Sequence, residues 1–464
     1  KYAHQNIGFE AIDLANGLFR VTNRFYFTNL KKYMVHYSVT ANNKVVRSGK
    51  VSLDIEPQAS KEFTVPVGNL KPQAGTEYFV NFNVTTVEKE PLIPIGHEIA
   101  CDQFRLPIES PKKAFKISGP KLTVSTNGDN LSASSSKVNF MFNKKTGIVT
   151  SYKVDGTEYF SEGFGIQPNF WRAPTDNDYG NGMPKRLQVW KESSKNFNVT
   201  DATVTMDGNN AVVNVNYLLP AGNLYIVNYT IYPSGAVNVA ARFTSTDMDA
   251  AQTEVSESTR TATFTPGRDA ARKEASKLNV PRIGVRFRLP ASMNQVEYFG
   301  RGPAENYLDR NAGSMVGLYK STAEELYFPY VRPQENGHHT DTRWVSLSTG
   351  KKGLLIQADN TIGFNALRNS IEDFDDEEAT GLSRQWSNFT PEQVANHDEA
   401  AAKNVLRRQH HINDITPRDF VEVCVDLKQQ GVAGYDSWGS RPEPAYTLPA
   451  NREYNWGFTL IPLK

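Results

Sequence analysis

Short runs in which hydrophobic residues occupy alternate positions dominate this sequence and limit what it can fold into. Residues 35–39 and 78–84 alternate in this way, and the first run is followed by Asn42-Asn43. A period of two places every second side chain on one face of a β-strand, and the Asn pair favours a hairpin turn. Residues 19–27 nearly alternate, and we predict a single strand with a bulge there. The fold class is therefore all-β.

The spacing of these runs divides the chain. Strands lie roughly ten to twenty residues apart over residues 1–107, as in an immunoglobulin-like sandwich of about a hundred residues. Residues 108–120 contain Pro111 and Pro120 and are predicted to be a linker. Strand signals continue through residues 121–464, which predicts a large two-sheet sandwich or two smaller ones.

Two segments of the second part are distinctive. Residues 138–154 read as a hairpin with Gly147 where a positive φ is needed. Residues 390–408 are rich in Glu, Gln, Ala, Lys and Leu, and Thr390-Pro391-Glu392 resembles a capped helix start. We predict a helical insertion on the surface, to which we assign no function.

Composition excludes several classes of protein. The chain has 51 Lys and Arg against 50 Asp and Glu, and it therefore lacks the basic excess expected of a nucleic-acid-binding protein. No apolar run approaches the roughly 20 residues of a membrane span, and no signal-peptide pattern is present. Because the first residue is Lys1, we expect the chain to begin inside a longer reading frame or to follow processing. Its compartment, cytoplasmic or periplasmic, would depend on that missing N-terminus.

The two cysteines, Cys101 and Cys424, lie in separate strand-like runs. We predict two buried free thiols rather than a disulfide. No Cys or His cluster has the spacing of a zinc site, and we predict no metal site.

The strongest candidate site is Gly434-Tyr-Asp-Ser-Trp-Gly439. Asp436 and Ser437 favour a turn, and Gly439 relieves steric demand after it. Trp438 on such a turn could stack on the C–H face of a pyranose, or it could be a core side chain under a loop. Composition alone favours neither reading.

A second candidate is the segment around Asp176, Asn177, Asp178 and Gly180. Three adjacent Asp and Asn side chains could bind a cation through oxygen atoms, but we favour the interpretation that they cap turns. Residues 180–184 are predicted to be a mobile loop.

Other polar motifs have simpler interpretations. His338 and His339 are adjacent, point to opposite faces of a strand, and are predicted to be surface or hydrogen-bonded structural residues. Glu305 and Asn306 are predicted to hold a buried turn. No pair of carboxyl groups has the sequence context of a glycosidase site, which needs two of them about 5 Å apart for retention.

These motifs, in this order, resemble the carboxy-terminal end of family 2 β-galactosidases. The resemblance spans nearly the whole chain and is carried by Gln5-Asn-Ile7, Thr146-Gly147, Arg172-Ala-Pro-Thr-Asp-Asn-Asp178, Gly300-Arg-Gly-Pro-Ala-Glu-Asn-Tyr307, Tyr330-Val-Arg-Pro-Gln-Glu-Asn-Gly337 and Asp436-Ser-Trp438. It implies an immunoglobulin-like domain over residues 1–107 and a galactose-mutarotase-like β supersandwich over 121–464.

The resemblance also implies that the catalytic residues lie in another part of the enzyme. In this family a TIM barrel carries both catalytic glutamates and the active-site metal ligands. We therefore expect no catalytic residue and no cofactor in this chain, with Mg and Na bound by the barrel of the parent enzyme.

One contribution to the active site is expected from this end of the family's polypeptide. The Asp-Ser-Trp turn reaches the barrel mouth, which assigns sugar stacking to Trp438. The loop after Arg172 to Asp178 lies near the active site in the family, although residues 180–184 are shorter here.

Three functions are therefore considered. The first is a non-catalytic part of a retaining β-galactosidase, with a β-galactoside and the enzyme's own barrel as partners in a homo-oligomeric parent. The alternatives are an autonomous carbohydrate-binding module and a mutarotase-like epimerase, of which the latter is suggested by the supersandwich fold and by His338 and His339. Neither nucleic acid nor a membrane is expected as a partner.

Overall fold

A computed structural model describes residues 2–89, 91–244, 278–375, 412–436 and 439–464, and the chain divides into two compact units. The first unit comprises Lys1–Phe115, Phe299–Pro303 and Ala312–Tyr319, and the second comprises Lys116–Tyr298, Ala304–Asn311 and Lys320–Lys464. The predicted insertion at residues 390–408 lies outside the described residues.

Among its described residues, the amino-terminal part of the first unit, up to residue 115, contains seven strands in two sheets. They are β1 (Ile7–Asp13), β2 (Leu18–Asn23), β3 (Tyr33–Ala41), β4 (Lys44–Val51), β5 (Ser60–Thr64), β6 (Tyr78–Thr86) and β7 (Glu98–Arg105). One sheet has the order β1-β2-β5 and the other β4-β3-β6-β7. Phe19 of β2 and Phe82 of β6 meet edge to face with ring centroids 4.9 Å apart. The predicted immunoglobulin-like sandwich is confirmed.

The prediction of one strand over residues 19–27 is wrong. Strand β2 ends at Asn23, and Phe27 is 97% exposed. Asn23 is fully buried, and its amide nitrogen donates to the carbonyl oxygens of Thr28 and Ile55 while its Oδ1 accepts from the Phe25 amide. A buried side-chain amide needs hydrogen-bond partners within the protein. The partners that Asn23 finds lie outside the sheet, and the bonds to them direct the chain away from it.

The second unit begins with a five-stranded sheet of order β12-β11-β10-β9-β8. Its strands are β8 (Thr123–Asn127), β9 (Asn130–Ser134), β10 (Val138–Asn143), β11 (Ile148–Val154) and β12 (Thr157–Glu158). The predicted β10–β11 hairpin is confirmed, and Gly147 has a φ of +69° in its turn.

Twelve further strands form one large sheet. They are β13 (Gln167–Asn169), β14 (Asn198–Asp207), β15 (Asn210–Leu218), β16 (Leu224–Ile231), β17 (Val237–Thr244), β18 (Arg282–Pro290), β19 (Gln295–Gly302), β20 (Met315–Thr322), β21 (His339–Ser348), β22 (Gly353–Leu367), β23 (Phe420–Gln429) and β24 (Tyr454–Leu463). Its main order is β13-β18-β23-β22-β24-β17-β16-β15-β14, and β21 joins β19 to β22.

The two sheets of the second unit pack face to face. Phe140 of β10 meets Tyr229 of β16 with ring centroids 5.6 Å apart, and the Tyr152 hydroxyl donates to the Gly235 carbonyl at 2.6 Å. Alternate residues along β15 and β17 are buried, as expected of strands with one face in a core. The predicted supersandwich is confirmed.

Four short helices are described in the second unit. They are α1 (Asp176–Gly180), α2 (Met183–Arg186), α3 (Gln188–Ser193) and α4 (Ile371–Phe374). Residues 180–184 end one helix, pass through Asn181 and Gly182, and begin the next helix, while the predicted mobility of this segment stays a prediction. Trp190 of α3 is fully buried against Phe170 and Phe243, which anchors this helical segment in the core.

Neither cysteine forms a disulfide, as predicted, but only Cys424 is buried. Cys101 is half-buried because β7 is the edge strand of its sheet. Among the described residues, no helix combines the length and hydrophobicity that crossing a membrane requires.

Candidate functional site

Helix α1 begins with a capping box that uses one of the predicted acidic residues. The Thr175 hydroxyl accepts from the Asp178 amide, and Asp178 Oδ2 accepts from the Thr175 amide at 3.0 Å. Two of the free N–H groups at the helix start are thereby satisfied. The capping interpretation of this segment is confirmed for Asp178.

Asp178 also forms a buried ion pair. Its two carboxylate oxygens accept from Nε and a terminal nitrogen of Arg172, each at 3.0 Å, and both side chains are essentially inaccessible. Arg172 donates further to the carbonyl oxygens of Gln430 and Gly431, at 2.7 and 3.0 Å. One guanidinium thus connects α1 to the segment that precedes the predicted sugar-binding turn.

Val432, Gly434 and Gly439, which adjoin or belong to the predicted turn, lie directly against α1. The Asn177 amide nitrogen donates to the Val432 carbonyl at 3.2 Å. Gly439 has a φ of +86°, and a Cβ added to it would lie 2.4 Å from the carbonyl carbon of Gly180. Only glycine fits both that conformation and that close approach. The two segments selected from the sequence therefore meet in space.

Asp309 supports the same segment and was missed by the sequence analysis. Its carboxylate oxygens accept from the amides of Val432 and Ala433 at 3.0 and 2.8 Å. Ala433 has a φ of +56°, which is unfavourable for a residue with a Cβ. A carboxylate more than a hundred residues away in sequence gives no local signal for this role.

Asp176 is the exposed carboxylate of helix α1. Its backbone amide donates to Gln334 Oε1 at 3.1 Å, and Gln334 Nε2 donates back to its carboxylate at 3.2 Å. Arg332 lies 3.7 Å from the same carboxylate and stacks over Tyr179 of α1. Gln334 and Arg332 belong to the Tyr330–Gly337 motif, but their position here had not been predicted.

The turn has internal hydrogen bonds on both sides. The Ser440 amide donates to Asp436 Oδ1, and the Tyr435 amide donates to the Ser440 hydroxyl, each at 3.2 Å. Ser437 and Trp438 lie outside the described residues, so the stacking role of Trp438 stays a prediction.

A second polar cluster is buried between strands β18, β22 and β23. Glu335 Oε1 accepts from Arg282, Asn365 and Gln429 at 2.9–3.1 Å. Asp426 lies 3.2 Å from Arg282 Nε, but its oxygens accept no hydrogen bond from any described residue. Two carboxylates thus share one guanidinium, and burial raises the pKa of Asp426 to about 7.

The two adjacent histidines are hydrogen-bonded structural residues, and neither is at the surface. His338 Nδ1 lies 2.9 Å from Asn365 Oδ1, and His339 Nδ1 lies 3.1 Å from the Gly337 carbonyl. Both are 1% exposed, and burial lowers the pKa of His338 well below its usual value. His338 is therefore neutral at physiological pH.

The predicted buried turn at Glu305 and Asn306 is confirmed only in part, because Asn306 is buried but the bend before it, at Pro303 and Ala304, is exposed. Asn306 is fully buried and accepts from the Thr340 amide and hydroxyl. Glu305 accepts from the Tyr330 hydroxyl and from the Gly337 amide. Both side chains hold the 334–340 segment beside the candidate site.

Within the described ranges, no group of three or more His, Cys, Asp or Glu side chains could hold a metal ion. Asp178 is fully engaged by Arg172 and the Thr175 amide, and Asp176 is bound by Gln334.

Comparisons with known proteins agree with this arrangement of two all-β units. A family model described as "Beta galactosidase small chain" matches residues 134–460, and one described as "Beta-galactosidase, domain 4" matches residues 19–107. A galactose 1-epimerase from Lactobacillus acidophilus NCFM is structurally similar at a TM-score of 0.36 and 7% identity, covering 74% of this chain and 98% of that one.

Two curated relatives are called β-galactosidases. That of Priestia megaterium is 30% identical, over 100% of this chain and 39% of its own length. That of Streptococcus thermophilus is 24% identical, over 96% of this chain and 37% of its own length. The chain belongs to the β-galactosidase family. It spans about two-fifths of the length of these relatives.

Proposed function

We propose that this chain is the non-catalytic, carboxy-terminal part of a retaining β-galactosidase and that it completes the substrate site with Trp438. The catalytic carboxylates and the Mg and Na ions would belong to a barrel domain in the longer polypeptide, which would form a homo-oligomer. The relatives' greater length supports this proposal, since most of each relative has no counterpart in the chain.

The proposal rests on the contacts that hold the backbone before and after the turn. Arg172, Asn177 and Asp309 bind the backbone of residues 430–433, and Gly439 packs on Gly180. A recognition side chain needs a rigid base if it is to bind ligand without a large loss of conformational entropy. Trp438 would then stack on the apolar face of the galactosyl unit, which contributes to binding and not to bond cleavage.

Kinetics of the longer polypeptide test this role. Trp438→Ala should raise KM for a β-galactoside by about tenfold or more, because burial of a large apolar side chain against ligand is lost. Trp438→Phe should retain most of the affinity, since it keeps an aromatic face. Trp456→Phe, on the half-buried face of β24, is the control and should behave as wild type. Equal KM values for Trp438→Ala and wild type would exclude the stacking role.

The mutarotase-like alternative receives no support from the histidines that suggested it. His338 and His339 are buried and engaged in hydrogen bonds. An acid or base for sugar epimerisation has to reach the substrate. No observation favours an autonomous binding module over the proposal above.

A further inference from the structure

A cleft in the second unit lies beside the candidate site and has a volume of about 290 Å³. It is lined by polar side chains from four segments: Asn181, Arg186, Asn279, Gln430, Arg441 and Thr447. Ligand pockets begin at about 300 Å³, so this cleft is of the size that holds a small molecule.

Two arginines face this cleft. Arg186 donates to Asn181 Oδ1 at 3.1 Å, while its Nε is buried and finds no hydrogen-bond partner among the described residues. Arg441 is exposed, and no described residue forms an ion pair or hydrogen bond with it. Burial and then the positive charge of Arg441 lower the pKa of Arg186, so the two charges are close enough to repel each other.

One carboxylate, that of Asp178, also lines the cleft. Its oxygens already accept from Arg172 and from the Thr175 amide, so Arg172, which does not line the cleft, compensates its negative charge. The cleft therefore retains an excess of positive charge and an unused guanidinium donor. An unused buried donor costs free energy, which a bound acceptor would recover.

We propose that this cleft binds an oxyanion, namely a phosphate or sulfate group that is either free or esterified to a sugar. Guanidinium groups donate two parallel hydrogen bonds to such tetrahedral anions. The volume exceeds that of one oxyanion, and the amides of Asn279 and Gln430 and the Thr447 hydroxyl can bind the hydroxyl groups of an attached saccharide. This proposal does not depend on the stacking role of Trp438.

Calorimetric titration of the intact chain tests the site, with inorganic sulfate and phosphate as probes and chloride at equal ionic strength as the reference. We expect saturable binding of the oxyanions and none of chloride. Arg441→Gln and Arg186→Gln should each weaken binding about tenfold or more, since each removes a charge-assisted bond. Arg452→Gln, an exposed arginine outside the cleft, should leave the affinity unchanged.

Arg441 is exposed, so its replacement should preserve the fold even if Arg186→Gln does not. A second titration compares galactose 6-sulfate, galactose 6-phosphate and galactose. Tighter binding of the esters than of the free anions supports a saccharide-linked ligand, and equal binding supports a free oxyanion. The proposal is overturned if wild type binds oxyanions no better than chloride, or if Arg441→Gln and Arg452→Gln bind them equally.

Discussion

At the scale of single residues, the candidate site depends on Asp178 more than on its neighbour Asp176. Asp178 neutralises the buried Arg172 and caps α1, whereas the Asp176 side chain is 61% exposed. Asp178→Ala leaves a buried guanidinium without its counter-charge and should lower the free energy of unfolding by about 3–5 kcal/mol. Asp176→Ala, the control on the same helix, should lower it by less than about 1 kcal/mol.

Urea unfolding followed by tryptophan fluorescence provides the measurement. All six tryptophans have sequence positions in the second unit, so the signal reports that unit alone. If both substitutions shifted the midpoint equally, the buried ion pair would not have the importance assigned to it.

Gly439 permits a second comparison between matched residues. Gly439 and Gly182 both have positive φ, at +86° and +72°, but only an added Cβ at Gly439 would collide with backbone atoms. Gly182→Ala should therefore cost only conformational strain of about 1 kcal/mol. Gly439→Ala should cost more and should displace the turn.

The displacement can be measured in the longer polypeptide as a rise in KM for a β-galactoside. Gly439→Ala should raise KM severalfold, while Gly182→Ala should leave it near the wild-type value. A rise of the same size in both variants would mean that contact between the turn and α1 does not position the turn.

At the scale of elements, the strands β18, β22 and β23 surround two carboxylates, those of Glu335 and Asp426, but only one guanidinium to pair with them, that of Arg282. Because the pKa of Asp426 rises from 3.8 to about 7 on folding, the folded state holds this proton more tightly than the unfolded state. The resulting stability is fully present below about pH 4 and is lost as the pH rises through 7. The Asp426→Asn variant has no titrating group at this position and serves as the reference protein.

The free energy of unfolding of wild type relative to Asp426→Asn should therefore fall by roughly 3 kcal/mol between pH 5 and pH 8. Groups that titrate in both proteins cancel in this difference. Urea unfolding at several pH values measures it. A difference that is constant over this range would mean that folding does not raise the pKa of Asp426.

The elements also show what a sequence can and cannot predict. Strands β3, β6, β10 and β15 follow from alternation, since a half-buried strand repeats every two residues. The end of β2 at Asn23 does not, because it depends on acceptors at Thr28 and Ile55 that only the fold brings close. Motifs indicated both α1 and the turn, whereas Asp309 acts through contacts with Val432 and Ala433 that are distant in sequence.

At the scale of the whole molecule, we propose that bond cleavage and substrate positioning belong to different parts of one enzyme. A retaining glycosidase needs two carboxyl groups about 5 Å apart on either side of the scissile bond. At the candidate site, Asp178 is occupied by Arg172 and Asp176 by Gln334. We therefore propose that this chain positions the sugar and that the rest of the longer polypeptide cleaves it.

The most direct test of this division is the hydrolysis of a chromogenic β-galactoside by the pure chain, beside the longer polypeptide at equal molar concentration. We predict turnover by the longer polypeptide and a rate no higher than the buffer blank for the chain alone. Turnover by the pure chain, reproducible across preparations and abolished by heat, would contradict the account, because the chain would then contain its own catalytic carboxylates.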